Sequence, residues 1–299
     1  MSFKIKLVSA HEIKVEELNS LIKLVFKREL PLEFTIWKYL NYPDGEVYIS
    51  SAWDRDKLIG IQSIFPLSIQ TGKNYFKGKL FMDVGVHPAY RGKGLFKELV
   101  ENAEDFSWQQ GVEFIVTFPN KNSYPLFFRK LKGWKEIDIL RFGIGFAPLF
   151  CKIKGKFSDS KDVIRFSHTS VWAEWLFRNP LFIKCFRMEG IKFCIREING
   201  MRVLLILGPV SYNITSLIKG SALAKILLMY KVYFMFFLAS KNNLLLKEFK
   251  KCGIVEKNIL RRSFYMVVKC RFENTLCSRI LNPDCWDITW EDWDVSWGG

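Results

Sequence analysis

A basic, glycine-rich loop is the first place where residue types and spacing suggest chemistry. The loop reads Arg-Gly-Lys-Gly at residues 91–94, between an apolar segment of strand length ended by Pro88 and a helical spacing that starts at Leu95. Glycine has no Cβ, so Gly92 and Gly94 allow positive φ and bring backbone N–H groups close to a ligand. The unpaired N–H groups and the dipole of the following helix attract negative charge to the same place. The pattern predicts a pyrophosphate-binding loop.

Two common phosphate-binding patterns do not fit this loop. It lacks G-x-x-x-x-G-K-[ST], and no G-x-G-x-x-G follows the strand. The nucleoside-triphosphate and dinucleotide fingerprints are therefore excluded. An ordinary strand–helix connection with its basic residues in solvent is the alternative, because two glycines alone are a weak signal.

A second motif follows downstream. Phe114–Thr117 is a short apolar run of β type, and residues 118–125 (FPNKNSYP) form a turn-rich cluster. A helical pattern then leads to Gly133 and Trp134, and its spacing predicts Gly133 in the C′ position just after the helix. The order is again strand, turn and helix.

Together the two motifs resemble the GCN5-related N-acetyltransferase (GNAT) family. The family pattern is [RQ]-x-x-G-x-[GA] after a strand that ends in V-x-P, and Arg91, Gly94 and the lead-in Val86 and Pro88 match it. Phe96 departs from the pattern, since it stands where the family has Gly or Ala. The downstream segment resembles the family's fifth strand, its Asn-led loop and a helix that ends in a Gly-aromatic pair. Its F-P-N-x-x-S-Y-P form looks like a subgroup often met near surface-polysaccharide genes.

The resemblance implies an α/β fold with a mixed α+β sheet, the acyl-CoA N-acyltransferase fold, with acetyl-CoA as co-substrate and no metal. In the family the cofactor contacts come from the end of the fourth strand, the basic loop and the Asn-led loop. The corresponding positions here are Val84, Val86, Arg91, Gly92, Lys93, Gly94, Leu95, Asn120 and Asn122. Backbone N–H groups near the end of that strand stabilise the developing oxyanion in the family.

Asp83 and Tyr124 are the candidate catalytic residues. Transfer of an acyl group from a thioester to an amine needs a group that accepts the amine proton, and Asp83 lies on the strand beside the acyl site. Asp83 can equally be a structural partner, or hold a cationic acceptor amine. The family often has a Tyr near the CoA sulfur as general acid. Tyr124 is the nearby phenol here, and the alternative is a thiolate that leaves unprotonated.

Trp37 and Tyr39 are the candidate substrate-binding residues. They belong to an aromatic-rich segment, residues 34–45, that ends in a turn. In the family this region overhangs the acceptor pocket, so the resemblance implies that both residues are pocket walls. Packing of the segment in the hydrophobic core is the alternative.

Length and charge limit the kind of protein. With 299 residues the chain exceeds what one such domain needs, so two domains are expected. A formal net charge of +15 calls for an anionic partner, such as CoA, a nucleotide-sugar, nucleic acid or a membrane surface. No module with stacked aromatic and interleaved basic residues is visible, and nucleic acid is therefore not expected as a partner.

Segments that would direct the chain to a membrane are not expected. Residues 1–7 read as a strand start without the apolar region of a signal peptide. The most apolar window, residues 226–238, is interrupted by Lys231 and too short to span a bilayer, so it predicts a buried strand or helix. Seven cysteines show no C-x-x-C pairing. This favours reduced thiols in the cytoplasm over a disulfide framework or a zinc site.

Beyond residue 145 the pattern starts again. Trp175 opens a fragment with Asn-Pro that is similar to the fragment at Trp37, and residues 245–254 are similar to residues 126–134. These likenesses indicate an internal repeat. Coincidence between short fragments is the alternative.

The repeat predicts two tandem GNAT-like lobes, residues 1–147 and 148–299. Residues 208–214 stand where the basic loop of the second lobe should be, and they contain neither an Arg nor a glycine pair. The second lobe is therefore expected to be degenerate and to bind no cofactor. We also expect one of its strands to pair with the first lobe, because this would cover an exposed sheet edge. A homo-oligomer is compatible with the sequence.

The C-terminal segment, residues 285–297, is acidic and aromatic in a basic chain. Its alternation of residue types allows a terminal strand packed on a cleft. A surface tail held by basic neighbours is the alternative.

The function expected from these features is acyl-CoA-dependent N-acyl transfer, with acetyl as the acyl group and a primary amine of a small molecule as acceptor. An amino-sugar nucleotide of surface-polysaccharide synthesis is the favoured acceptor. The alternatives are acetylation of a protein or polyamine, and a non-catalytic binder that uses the net charge of +15 to hold an anionic partner.

Overall fold

The computed structural model describes residues 3–137, 140–146, 152–156, 163–209, 215–240, 243–251, 255–256 and 265–289. Its helices are α1 (Val15–Phe26), α2 (Leu32–Thr35), α3 (Leu95–Gln109), α4 (Tyr124–Arg129), α5 (Trp172–Phe177), α6 (Gly220–Met229), α7 (Leu244–Lys251) and α8 (Thr275–Ile280). One turn of π-helix, Ile36–Leu40, continues α2.

The first sheet begins with five strands in chain order. They are β1 (Lys4–Ser9), β2 (Tyr48–Asp54), β3 (Lys57–Thr71), β4 (Asn74–Val86) and β5 (Phe114–Thr117). Neighbours are antiparallel except β4 and β5, which are parallel and connected through α3. Side chains of β3 alternate between two apolar layers, since Ile64 packs with residues of α3 whereas Phe65 packs on the side of α1. Burial on both faces explains the nearly continuous apolar sequence of β3.

The second sheet repeats this arrangement. It contains β10 (Phe182–Met188), β11 (Ile191–Ile198), β12 (Met201–Pro209) and β14 (Phe234–Ser240), of which β12 and β14 are parallel and connected through α6. A small two-stranded sheet pairs β8 (Lys152–Lys156) with β13 (Thr215–Lys219). β9 (Ile164–Ser167) joins the first sheet beside β3. We call the first sheet with α1 to α4 the first lobe, and the second sheet with α5 to α7 the second lobe.

The two sheets exchange a strand. β16 (Met266–Cys270), from the C-terminal half, lies in the first sheet between β5 and β6 (Lys135–Ile137). In return β7 (Leu140–Phe146), from the N-terminal half, lies in the second sheet between β14 and β15 (Val255–Glu256). Each strand covers an edge that would otherwise present unpaired backbone groups.

This exchange confirms the expectation that a strand from residues 148–299 pairs with a strand from residues 1–147. It also corrects the predicted division, because a boundary at residue 147 does not separate the sheets. Residues 140–146 belong to the second sheet, and residues 266–270 belong to the first.

A buried polar cluster fixes β16 in the first sheet. Glu104 of α3 accepts a hydrogen bond from the indole Nε1 of Trp134 at 2.6 Å and pairs with the ammonium of Lys269 on β16. A carboxylate in this apolar layer needs such partners. Burial raises the pKa of Glu104, although Lys269 and Trp134 act in the opposite direction.

One local prediction is confirmed and two are wrong. β5 spans Phe114–Thr117, as the short apolar run predicts. The window 226–238 is neither one strand nor one helix, because it contains the end of α6 and most of β14. Gly133 has a φ of 79° but is not the C′ residue of α4, which already ends at Arg129.

Candidate active site

The basic loop connects β4 to α3 as the sequence predicts. Gly92 and Gly94 have φ values of 79° and 86°, in the left-handed region that favours glycine. Gly94 is the N-cap residue of α3, and no side chain caps this helix. The first N–H groups of α3 therefore lack intrahelical partners. A Cβ at Gly92 would meet no atom within 4 Å, and one at Gly94 would meet only Glu98, at 3.6 Å. We call residues 91–95 the cradle.

Positive charge surrounds the cradle. The side chains of Arg91 and Lys93 are exposed. The Nε of Arg91 donates to the carbonyl of Val86 at 3.1 Å, and the Nζ of Lys93 lies 5.2 Å from the ring centroid of Tyr90. Burial, followed by the charges of Lys57 and Arg91, lowers the pKa of the neighbouring His87. The loop is therefore suited to an anionic ligand.

Leu95 contributes only its backbone to this surface. Its side chain is buried against Ala52, Ile59 and Leu99 in the core. The cofactor contact predicted for Leu95 is thus limited to its N–H group, which belongs to the first turn of α3.

β4 and β5 lie side by side only as far as the pair Phe81 and Thr117. Just beyond this pair, Asp83 and Val84 of β4 lie opposite the single residue Gln62 of β3, which is a β-bulge. Asp83 has a φ of 51°, which is uncommon for a residue other than glycine. From the bulge onward the described residues show no pairing between β4 and β5, so the strands form a fork. Val84 and Val86, half-buried on the β4 arm, lead from this fork to the cradle.

Two neighbouring residues of the π-helical turn hold the carboxylate of Asp83. The Nζ of Lys38 lies 2.7 Å from Oδ2 of Asp83, and the hydroxyl of Tyr39 donates to the same oxygen at 2.6 Å. The side chain of Lys38 is only 2% exposed, against 11% for Asp83. Both a π-turn and a non-glycine residue at positive φ are features that concentrate at functional sites.

Sequence reasoning missed the role of Lys38. The signal was present, because a lysine within an apolar, aromatic segment needs an acidic partner if the segment is buried. What the sequence could not show is which of the 30 acidic residues would be that partner.

Trp37 and Tyr39 are core residues in this structure. Trp37 is 5% exposed and its ring stacks on that of Trp175 from the second lobe. Tyr39 is equally buried and uses its hydroxyl to hold Asp83. The packing alternative therefore describes Trp37 better than the predicted pocket-wall role, since its ring reaches no open surface. Tyr39 reaches the fork through Asp83.

Tyr124 lies at the start of α4, and its hydroxyl donates a hydrogen bond to Glu136 of β6. This bond, followed by burial, raises the pKa of Tyr124 to about 12. The ring stacks on Tyr265 with centroids 3.8 Å apart. Tyr265 precedes β16 and comes from the C-terminal half of the chain, so local sequence motifs gave no reason to place it here. The exchanged strand thus brings a second phenol to this side of the first lobe.

Asn120 and Asn122 form the turn before α4. Oδ1 of Asn120 accepts hydrogen bonds from the N–H groups of Asn122 at 2.9 Å and Ser123 at 3.1 Å. This is an Asx-type turn. The side chain of Asn120 is therefore engaged in local structure, and no hydrogen bond of the described residues joins either Asn to the cradle.

The second lobe contains the same fork. Its last parallel pair is Ile206 of β12 with Phe237 of β14. A bulge follows, because Ile206 and Gly208 lie opposite consecutive residues of β11. Gly208 and Pro209 end β12, and residues 210–214 of the predicted loop replacement lie outside the described residues.

Residues 286–289, which we call the tail segment, fill this second fork. The N–H of Ser240 donates to the carbonyl of Ile288 at 2.9 Å, and Ala239 forms an antiparallel bridge with Thr289. The other edge of β14 is occupied by β7, so the tail segment lies on the edge that faces β12. Trp286, Ile288 and Thr289 are fully buried.

Asp287 anchors the tail segment. Its Oδ2 lies 3.0 Å from the Nε of Arg165, its Oδ1 accepts a hydrogen bond from Asn243 at 2.5 Å, and its N–H donates to the carbonyl of Ile164. Residues 286–289 form isolated bridges and no regular strand, and the terminal-strand interpretation of residues 285–297 stays a prediction. Residues 290–297 lie outside the described residues.

The described residues show three further properties that bear on function. They contain no helix long and apolar enough to cross a membrane. They contain no group of three or more potential metal ligands. The five cysteines among them, Cys185, Cys194, Cys270, Cys277 and Cys285, are free thiols.

Comparison with known proteins agrees with this geometry. Residues 6–136 match the acetyltransferase (GNAT) domain family. No curated protein matches the sequence.

Solved structures share the fold across both lobes. One structure, from Enterococcus faecalis V583 and described as a "Probable N-Acyltransferase", is 13% identical in sequence and has a TM-score of 0.62. The alignment covers 90% of this chain and 73% of that chain. A GCN5-related N-acetyltransferase from Anabaena variabilis is 12% identical and has a TM-score of 0.61, and the alignment covers 89% of this chain and 72% of that chain. A tandem GNAT protein from the clavulanic acid biosynthesis pathway is 9% identical, with 91% and 100% coverage and a TM-score of 0.53.

At such identities the structures establish the fold alone, whereas the family match concerns the sequence itself. The region that matches contains β4, the bulge, the cradle and α3. Residues 6–136 therefore match the acetyltransferase (GNAT) domain family, and the chain has the acyl-CoA N-acyltransferase fold in two tandem lobes.

Proposed function

We propose that this protein is an acyl-CoA-dependent N-acetyltransferase with one working site, in the first lobe. The observation that carries the proposal is the continuity of the β4–β5 fork with the cradle. A thioester held in the fork would have its pyrophosphate at the uncapped N-terminus of α3, where backbone N–H groups, the helix dipole and Arg91 attract it.

The local geometry fits acetyl-CoA on two counts. Open space over Gly92 and Gly94 lets a phosphate approach the backbone. The second fork also holds an extended chain with amide groups, since residues 287–289 run along β14 there. Pantetheine, the arm of CoA that carries the thiol, is likewise an extended chain with amide groups. We infer that the first fork, which has the same bulged framework, receives this arm.

In this proposal Asp83 accepts the proton of the acceptor amine, directly or through water. Its Oδ2 is held by Lys38 and Tyr39, so the carboxylate is fixed in one orientation at the fork. Backbone N–H groups of β4 beyond the bulge, near Val84, supply hydrogen bonds to the carbonyl oxygen as it gains charge. The amine attacks the thioester carbonyl, the carbon–sulfur bond breaks, and the thiolate leaves.

The thiolate leaves unprotonated in this proposal, because the single O–H of Tyr124 already donates to Glu136. A pKa of about 12 makes Tyr124 a weaker acid than an ordinary thiol, whose pKa is about 8.5. Full proton transfer from Tyr124 to the thiolate would therefore run uphill. Solvent protonates the thiolate after it leaves.

For the acceptor we propose a primary amine of a small molecule, with an amino-sugar nucleotide as the favoured class. The surface-polysaccharide association of the F-P-N-x-x-S-Y-P form supports this class, and the net charge of +15 suits a phosphate-bearing acceptor. The scattered cysteines favour a cytoplasmic enzyme. Protein or polyamine acetylation is the second candidate within the same chemistry.

The test combines calorimetry with an acceptor panel. We expect one acetyl-CoA per chain by isothermal titration, and release of free thiol only when an amine is added. The panel includes glucosamine 1-phosphate, a UDP-linked amino sugar, spermidine and a peptide with a free N-terminus. Absence of acetyl-CoA binding contradicts the function, and two sites per chain contradict a single working lobe. Turnover with spermidine or the peptide alone contradicts the amino-sugar assignment.

A further inference from the structure

Helix α5 of the second lobe packs directly on the π-helical turn that holds Asp83. The rings of Trp37 and Trp175 stack with centroids 4.1 Å apart and planes 8° from parallel. Each indole donates to the main chain of the other residue: Nε1 of Trp37 to the carbonyl of Trp175 at 2.8 Å, and Nε1 of Trp175 to the carbonyl of Trp37 at 3.0 Å. Both residues are buried, so this reciprocal contact excludes water.

The contact between Trp37 and Trp175 is linked, through a single helical turn, to the residues that hold the Asp83 carboxylate. Trp37 is followed in the same turn by Lys38 and Tyr39, and the turn is closed by a bond from the N–H of Asn41 to the carbonyl of Ile36 at 3.1 Å. A π-turn contains one residue more than an α-helical turn, and this arrangement is uncommon unless surrounding structure supports it. A shift of Trp37 would displace the two side chains that hold Asp83.

Further contacts lock the same two elements together. The ring of Tyr42, just after the turn, packs edge-on against Trp172 and Trp175 of α5. Asp44 accepts a hydrogen bond from the N–H of Thr169 at 2.9 Å, and its Oδ2 lies 2.9 Å from Nδ1 of His168. The segment before α5 is thus attached to the segment after the π-turn.

We propose that the second lobe serves as a positioning element for Asp83, with Trp175 as the positioning residue. This inference rests on the proposed function, in which Asp83 accepts the amine proton. The second lobe then has a task that needs no cofactor of its own, since it supports the turn from which Lys38 and Tyr39 reach the carboxylate. Misplacement of a catalytic group by about 1 Å can cost up to roughly a hundredfold in rate.

The chain offers a matched pair of variants. Trp175→Phe keeps an aromatic ring but removes the N–H group that bonds to Trp37. Trp172→Phe makes the same change in the same helix, where Nε1 of Trp172 is buried and has no hydrogen-bond partner among the described residues. Trp37→Phe removes the reciprocal bond from the other side and serves as a second variant if Trp175→Phe does not fold.

The readout is the carboxyl resonance of Asp83 in full-length protein labelled with 4-¹³C aspartate. Comparison with Asp83→Asn assigns the resonance. We expect it to shift or broaden in Trp175→Phe or Trp37→Phe and to stay in place in Trp172→Phe. An unchanged resonance in the first two variants, or an equal shift in all three, overturns the inference.

Kinetics separates this inference from the proposed function. With an acceptor from the panel, Trp175→Phe should lower kcat by roughly tenfold or more while the KM for acetyl-CoA stays unchanged. Unchanged kcat together with a shifted Asp83 resonance would overturn the positioning role. Failure of the wild-type protein to bind acetyl-CoA would instead overturn the proposed function, whatever the resonance does.

Discussion

The two lobes share a framework and differ in what their forks contain. In both, a bulge follows the last pair between two parallel strands, at Phe81 and Thr117 in one and at Ile206 and Phe237 in the other. The first fork leads to the cradle, whereas the second holds the tail segment. The two lobes therefore share a strand framework while different segments lie at the ends of their parallel strands. In the proposed function, the ability to bind acetyl-CoA depends on the cradle residues of the first lobe.

The most sensitive test of this comparison concerns Asp83, which sits at the bulge of the first fork. Asp83→Asn keeps the shape of the side chain but removes proton acceptance. We expect turnover to fall by roughly 10² to 10⁴-fold with unchanged acetyl-CoA affinity. Steady-state kinetics and calorimetry measure the two quantities. A raised KM for the acceptor at normal kcat would show instead that Asp83 binds the cationic amine.

A double variant separates catalysis from structure at this position. Asp83→Asn alone removes the negative charge that lies 2.7 Å from the buried ammonium of Lys38, which should lower the free energy of unfolding by about 3–5 kcal/mol. Adding Lys38→Met removes that buried positive charge and should restore most of the stability. Recovery of turnover along with stability would contradict the catalytic role of Asp83.

In the second fork, substitution of Asp287 is expected to change stability and not acetyl-CoA binding. Asp287→Asn breaks a mostly buried ion pair with Arg165, so we expect the free energy of unfolding to fall by about 3 kcal/mol. Chemical denaturation measures this change. Acetyl-CoA affinity should not change, because the first fork is untouched.

Glu273→Gln provides the control for Asp287, since Glu273 is an exposed acid in the same part of the chain. Its effect should stay within about 0.5 kcal/mol. A large loss of acetyl-CoA affinity in Asp287→Asn would show that the tail segment serves the first fork, and the contrast between the lobes would fail.

Gly94→Val tests the cradle directly. At a φ of 86° a β-branched residue is strained, and its side chain would enter the space left for phosphate. We expect acetyl-CoA affinity to fall about a hundredfold, the loss of one or two hydrogen bonds to a charged group. Gly111→Val is the matched control, since Gly111 has a φ of 74° and open space but lies at the far end of α3. Equal affinity losses in both variants would attribute the effect to strain alone.

Arg91→Ala should have the smallest effect. Its exposed guanidinium is screened by solvent while the backbone N–H groups stay in place, so a loss of less than about fivefold in acetyl-CoA affinity is expected. Lys184→Ala removes an exposed charge from the second lobe and should leave affinity unchanged. If the two variants behave alike, the local charge of the cradle has no role beyond the net charge of the chain.

Local features were predictable from the sequence because they depend on neighbouring residues. The short apolar run located β5, and the glycine pair located the cradle. The same reasoning extended α4 as far as Gly133, because an apolar spacing continues beyond Arg129 where the hydrogen bonds of the helix have already ended. Apolar spacing reports burial and does not mark where backbone bonds stop.

Contacts between distant residues were not predictable in this way. Lys38 pairs with Asp83, and Tyr124 stacks on Tyr265. Nothing in a single sequence indicates that the segments joined by these contacts are neighbours in the fold. Pairing of some strand between the two parts of the chain was expected, but not that β7 and β16 are the strands exchanged, because a strand pattern states that a segment is extended but does not state its neighbours.

The strand exchange has a consequence for how the protein is made. β5 of the first sheet pairs with β16, which lies far downstream, so the first sheet is still incomplete when residues 6–136 leave the ribosome. Such non-local pairing slows folding. Until β16 has been synthesised, the unpaired edge of β5 can form hydrogen bonds with other chains. A fragment that ends before β16 should therefore aggregate during translation.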